Sequence, residues 1–133
     1  MPLARHLRVH SSNTSPLSSI TFEFTVGEDH LNGLGNMHGG CIATLFDLCT
    51  STALGMVAKP GFWNYLGVSR NLNTSYLKAI PLGTKILVEC EITSAGKRMC
   101  HIRGTIRRAD GNGEVFATCE HGKFNTDPEV GKL

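Results

Sequence analysis

The chain has 133 residues, enough for one domain with a substantial hydrophobic core. Its formal net charge is only +2, with no basic run, no acidic tail and few aromatics. That excludes an electrostatic nucleic-acid surface and a base-stacking platform.

Residues 1–18 read as a first strand, about Arg5–Ser11, and a polar loop containing Asn13 and Pro16. Arg5, Arg8 and the serines give this stretch a weak transit-peptide composition, but strand and loop is the preferred reading. Ile20, Phe22, Phe24 and Val26 then alternate with Thr21, Glu23 and Thr25, the pattern of a half-buried strand. A glycine-rich loop, Gly27–Met37, delivers His38-Gly39-Gly40 to the start of a long helix reaching about Ala58. On that helix Ile42, Leu45, Phe46, Cys49, Ala53, Met56 and Val57 form a broad apolar face. Thr44, Asp47, Ser51 and Leu54 form a second stripe, which suggests a helix covered on most sides. The segment is about long enough to span a bilayer. Asp47 and the hydroxyls, with strands on either side, instead favour a core helix, and no membrane span is expected. Lys59-Pro60-Gly61 ends it.

Four strand patterns follow: about Tyr65–Leu77, Lys85–Thr93, Met99–Arg108 and Glu114–Phe124. Ser94–Lys97 and Asp110–Gly113 read as the hairpin turns between the last three. Residues 125–133 are polar and read as a flexible tail. One helix cannot cover both faces of six strands. The economical α+β packing, over a single domain of residues 1–133, is an antiparallel six-stranded sheet wrapped around one long central helix. The remaining surfaces then call for a partner chain.

The five cysteines, Cys41, Cys49, Cys90, Cys100 and Cys119, form no Cys-x-x-Cys pair. That fits reduced thiols in an intracellular protein, cytoplasmic or mitochondrial, better than disulfides or zinc. His30 and His38 lack metal spacing, and no metal is expected. Gly33-x-Gly35 begins a dinucleotide fingerprint, but His38 stands in the third glycine's place and no parallel sheet accompanies it.

The chemistry concentrates on the helix. Asp47 is the only formally charged residue between His38 and Lys59. A carboxylate there is costly to bury unless it is paired, hydrogen-bonded or protonated. The helix start offers free backbone N–H groups to an oxyanion. Together they suit acyl transfer: the Gly39 N–H polarises a thioester carbonyl, a nearby asparagine adds a donor, and the carboxylate acts as base or attacks directly. This needs neither metal nor organic cofactor. His38 and Asp47 are nine residues apart, roughly 13 Å and about 180° along a helix. They cannot meet in one subunit, but they can across a two-fold axis. The spacing therefore predicts two shared sites per homodimer.

The run Asn32-Gly33-Leu34-Gly35-Asn36-Met37-His38-Gly39-Gly40, with Asp47 beyond it and Gly67-Val68-Ser69 on the next strand, resembles the hotdog-fold acyl-CoA thioesterases. The similar branch is that of thioesterase superfamily member 2 and the phenylacetyl-CoA thioesterases. The resemblance spans about Thr21–Phe124. It implies that Asn32, with Asn36 as a rival, and the Gly39 N–H hold the thioester carbonyl. His38 shapes the turn, and Gly40 belongs to the substrate-binding turn. Asp47 of the other subunit activates water or attacks, and Ser69 helps hold the water or the carboxylate. Arg70 stands where the family often has a small apolar residue, which places a charge in the tunnel or its wall. The implied substrate is an acyl-CoA, giving free acid and coenzyme A, and the implied assembly is a dimer, commonly paired into a homotetramer. Lys97, Arg98, Arg103, Arg107 and Lys123 are candidates for the coenzyme A phosphates, although a solvated strand face is the better reading for each. The alternatives are a hotdog hydratase or dehydratase acting on acyl thioesters, and a non-catalytic acyl-CoA binding protein.

Overall fold

A computed structural model describes residues 3–128. In chain order the elements are β1 (Arg8–Asn13), β2 (Ser19–Thr25), α1 (Gly39–Ala53), β3 (Val68–Tyr76), β4 (Lys85–Ala95), β5 (Met99–Arg108) and β6 (Val115–Phe124). Short 3-10 turns lie at Leu3–His6, Glu28–His30 and Leu54–Met56. The strands form one sheet in the order β1-β2-β4-β5-β6-β3, every neighbouring pair antiparallel. This is the hotdog arrangement expected from the sequence.

Two-residue alternation decides which side chains meet the helix. Phe22 and Phe24 of β2, Ile86, Val88, Cys90 and Ile92 of β4, and Cys100, Ile102 and Ile106 of β5 are all buried. Leu45, Phe46, Cys49 and Ala53 of α1 fill the same core. Burial of each large apolar side chain contributes about 1.5–3 kcal/mol. Gly104 lets the helix sit close. A Cβ there would stand 2.8 Å from the Phe46 ring and 2.7 Å from Cys119 Sγ.

The second helical stripe splits. Leu54 is fully buried, whereas Thr44 and Asp47 are exposed. One chain therefore covers only one side of the helix. The α-helix also stops at Ala53, short of the expected Ala58. Its last turn tightens, with the Leu54 N–H shared between the Ser51 and Thr52 carbonyls before the 3-10 turn.

β3 begins at Val68, three residues later than expected. Trp63, Leu66 and Gly67 have φ of 57°, 63° and 62°, which no strand accommodates. This loop is anchored: Trp63 is buried and donates from Nε1 to the Gly96 carbonyl at 2.8 Å. At Gly67 a side chain would meet the Phe124 carbonyl oxygen at 2.1 Å. The expected first strand shifts to Arg8–Asn13, because Leu3–His6 is a 3-10 turn.

The start of the tail is tied down. The Asn125 N–H donates to the Arg98 carbonyl, and the Asp127 carboxylate accepts from the N–H groups of Asn64 and Tyr65. Residues 129–133 of the expected tail lie outside the described residues.

Candidate active site

Asn32, His38 and Gly39 meet at the head of α1. The Asn32 side-chain oxygen accepts from the N–H groups of Leu34 (2.8 Å) and Asn36 (3.2 Å), closing the loop on itself. Its oxygen is thereby spent, and its amide NH2 is left to point elsewhere. His38 is the helix N-cap: Nδ1 accepts from the Gly40 N–H at 2.9 Å. Accepting there requires Nδ1 to be unprotonated, which puts the proton of a neutral ring on Nε2. The cap engages Gly40. Gly39, at the first helical position, has no intrahelical acceptor for its own N–H. Its carbonyl accepts from the Tyr76 hydroxyl at 3.0 Å, which ties the helix head to β3.

Next to this head lies an open cavity of about 390 Å³. Asn32, Asn36 and Gly39 line it, with an apolar wall that includes Met37, Ile42 and Leu77. Asp47 and Ser69 do not line it.

Asp47 and Ser69 belong to a second cluster, centred on His121 of β6. The fully buried His121 ring lies between Thr50, 2.7 Å from Nδ1, and Ser69, 2.7 Å from Nε2. The proton positions follow from the hydroxyls. Thr50 donates to the Phe46 carbonyl at 2.7 Å, so towards the ring it can only accept. His121 Nδ1 therefore carries the proton, and Nε2 accepts from Ser69. Burial, then the charge of Lys123, pushes the His121 pKa below its usual value, against the opposing pull of Asp47. The ring is thus held neutral, as its hydrogen bonds require. Asp47 Oδ1 lies 3.9 Å from Nε2 and accepts from the Ser51 hydroxyl at 3.3 Å. Its side chain is 53% exposed. The expected picture of a buried carboxylate does not describe the single chain.

The remaining candidates separate from these clusters. Arg70 lies over the Phe124 ring, 5.8 Å from its centroid, beside Gly122. That is the face of β6 opposite the one carrying His121. Arg70 therefore joins neither cluster. Arg103 and Arg107 pair with Glu120 and Glu89, each at 3.1 Å, as residues of a solvated strand face. Lys123 corrects the same reading: it is only 4% exposed, and its ammonium donates to Ser51 at 2.7 Å. His121 and Lys123 were not singled out from the sequence as neighbours of Asp47. Their only sequence signal is two polar residues at alternate positions of a strand that is otherwise apolar on that face, Ala117, Cys119, His121, Lys123. All five cysteines are buried and free. Burial pushes the thiols of Cys49 and Cys119 up to about 12, which removes them as nucleophiles.

The sequence pattern of the thioesterase superfamily matches residues 34–115, more than half the chain and the whole of α1. The chain belongs to that superfamily. Acyl-coenzyme A thioesterase 13 of Mus musculus is 36% identical over 77 residues, covering 58% of this chain and 52% of that protein. Among solved structures, zebrafish thioesterase superfamily member 2 superposes with a TM-score of 0.79 at 28% identity, covering 92% of this chain and 83% of the other. The Mus musculus member 2 gives 0.76 at 28% identity over 90% of this chain and 81% of that one. The matches span 52–59% of the length of the first curated relatives.

Proposed function

We propose that the protein hydrolyses acyl-CoA thioesters to the free acid and coenzyme A. The observation that carries this reading is the head of α1. There the uncommitted Gly39 N–H and the Asn32 amide both border an apolar cavity. A thioester carbonyl oxygen seated there accepts from both donors at the positive end of the helix, and both bonds strengthen as the oxygen becomes an oxyanion. The acyl chain lies against the apolar wall.

The attacking group comes from the other cluster. The two clusters are about eight residues apart on α1, roughly 12 Å, so one chain cannot complete a site. Two antiparallel copies of the helix bring the partner's Asp47 to the Gly39 of the first chain. The exposure of Asp47 and Thr44 supports this pairing, as does β3 at the sheet edge with Val68 and Tyr76 exposed. Pairing of such dimers into a tetramer follows the family pattern.

In each site the partner's Asp47 takes a proton from a water whose oxygen attacks the carbonyl carbon. Ser69, held by His121, positions that water. The tetrahedral intermediate collapses with cleavage of the C–S bond, and the proton passes from the carboxyl to the departing sulfur. The chemistry calls for no metal or organic cofactor, because coenzyme A is part of the substrate. The free thiols support an intracellular location, cytoplasmic or mitochondrial.

The test is thiol release from a panel of acyl-CoAs by the purified protein, with recovery of the free acid. A shared site adds a requirement. Mixing inactive Asn32→Ala and Asp47→Ala subunits must restore part of the activity, since some mixed dimers carry one intact site. No thiol release from any acyl-CoA would sink the hydrolase reading. No recovery despite proven subunit exchange would sink the shared site.

A further inference from the structure

Lys123 is the one buried lysine among the described residues. It follows His121 by two positions on β6 and shares its inward face. Its ammonium donates to Ser51 Oγ at 2.7 Å, and Ser51 donates to Asp47 Oδ1 at 3.3 Å. Ser51 and Asp47 are one helical turn apart, so the hydroxyl bridges a cation on the sheet to a carboxylate on the helix. The other titratable groups facing the pair are His121 of β6 and Cys100 of β5. His121 is held neutral. Burial pushes the Cys100 thiol up to about 11, so it stays protonated. Around the Ser51 hydroxyl the pocket therefore brings together one lysine and one carboxylate. Burial pushes the Lys123 pKa down, and the Asp47 charge opposes that shift.

We propose that Lys123 is a positioning residue for the hydrolysis: acting through Ser51, its ammonium fixes the direction of the Asp47 carboxylate. The proposal rests on the thioesterase reading. Lys123 transfers no proton itself. Protons move from water to Asp47 and from Asp47 to sulfur, while the ammonium stays charged.

Two measurements on the full-length protein test this: kcat and KM with an acyl-CoA, and the 13C chemical shift of the Asp47 carboxyl at pH 7 by NMR. In Lys123→Gln the carboxyl signal moves, because the Ser51 hydroxyl bonded to it is no longer held from β6. The value of kcat falls about tenfold with KM unchanged, as a misdirected base predicts. Lys123→Arg retains the wild-type kcat and carboxyl signal. Should Lys123→Gln not fold, Ser51→Ala removes the bridge itself and moves both readings the same way. A carboxyl signal unmoved in a folded Lys123→Gln or Ser51→Ala protein overturns the proposal. So does a Lys123→Gln enzyme changed only in KM, which would make the lysine a substrate contact. A wild-type protein that turns over no acyl-CoA defeats the hydrolase reading instead, and the carboxyl signal tells the two failures apart.

Discussion

In the proposed reading the head of α1 and its middle carry two halves of one chemistry in different ways. The head pairs a backbone donor, the Gly39 N–H, with the Asn32 amide; its cap is the His38 imidazole, and its cavity wall includes Met37, Ile42 and Leu77. The middle uses side chains from three elements, Asp47 and Ser51 of α1, Ser69 of β3, and His121 and Lys123 of β6, linked by hydroxyls. A backbone donor depends on the fold and persists through most substitutions. A charged network can be broken one residue at a time. Lost activity should therefore be steep where Asp47 or the Asn32 amide is changed, and only a few-fold and coupled to stability where the His38 cap is changed.

Asp47→Asn gives the largest effect. It removes the proton acceptor yet leaves an oxygen for the Ser51 hydroxyl. Steady-state thiol release should show kcat reduced by about 10²–10⁴-fold, with thermal stability nearly unchanged. Activity within a few-fold of wild type would remove Asp47 from the mechanism.

Asn32 comes next, and two variants divide its two jobs. Asn32→Asp keeps the oxygen that accepts from Leu34 and Asn36 but loses the amide donor. It should retain the melting temperature and lose about 10²–10³-fold in kcat, as expected for a missing oxyanion donor. Asn32→Ala should lose both activity and stability. If Asn32→Asp is fully active, the donor is another group, with Asn36 beside it in the cavity as the first to test.

His121→Gln should cost about tenfold in kcat, because Ser69 loses its fixed acceptor. It also changes a pH signature. The folded-state pKa of His121 is depressed below the usual 6.5, so the unfolded chain binds the extra proton first. Its contribution to stability is full above about pH 6.5 and is lost as the pH falls towards the depressed value. His30, lowered mainly by burial, acts in the same direction. Denaturant unfolding between pH 7 and pH 5 should therefore show stability falling with acid. The slope should be smaller in His121→Gln, with the remainder assigned to His30. An identical slope in the variant would show that His121 does not titrate on unfolding.

The same contrast explains what could be read from the chain beforehand. The sheet and the helix were legible because alternation and helical spacing are local patterns. So was the separation of His38 from Asp47, which is a matter of rise and rotation. The partners of Asp47 were not. His121 and Lys123 lie more than seventy residues away, and only the β3–β6 register brings Ser69 and His121 to the same place. Lys123 was the most misleading residue, since a lysine on a strand ordinarily faces water and this one faces Ser51. The start of β3 was misjudged for a different reason. The positive φ angles of Trp63 and Leu66 are imposed by the buried indole and its bond to Gly96, a tertiary contact with no local signature.

His38 gives the smallest effect and the clearest test of the head. The ring caps the helix through one hydrogen bond to the Gly40 N–H. His38→Ala should lower stability by about 1 kcal/mol, a fall in Tm of about 2–8 °C for a chain of this size. His38→Asn restores a good cap and should recover most of it. Activity should follow the cap and not the imidazole. The alanine variant should lose a few-fold in kcat as the helix head loosens around Gly39, and the asparagine variant should regain it. If instead both variants lose activity alike while His38→Asn is as stable as wild type, the imidazole has a chemical role beyond the cap. The head would then share the side-chain logic of the middle.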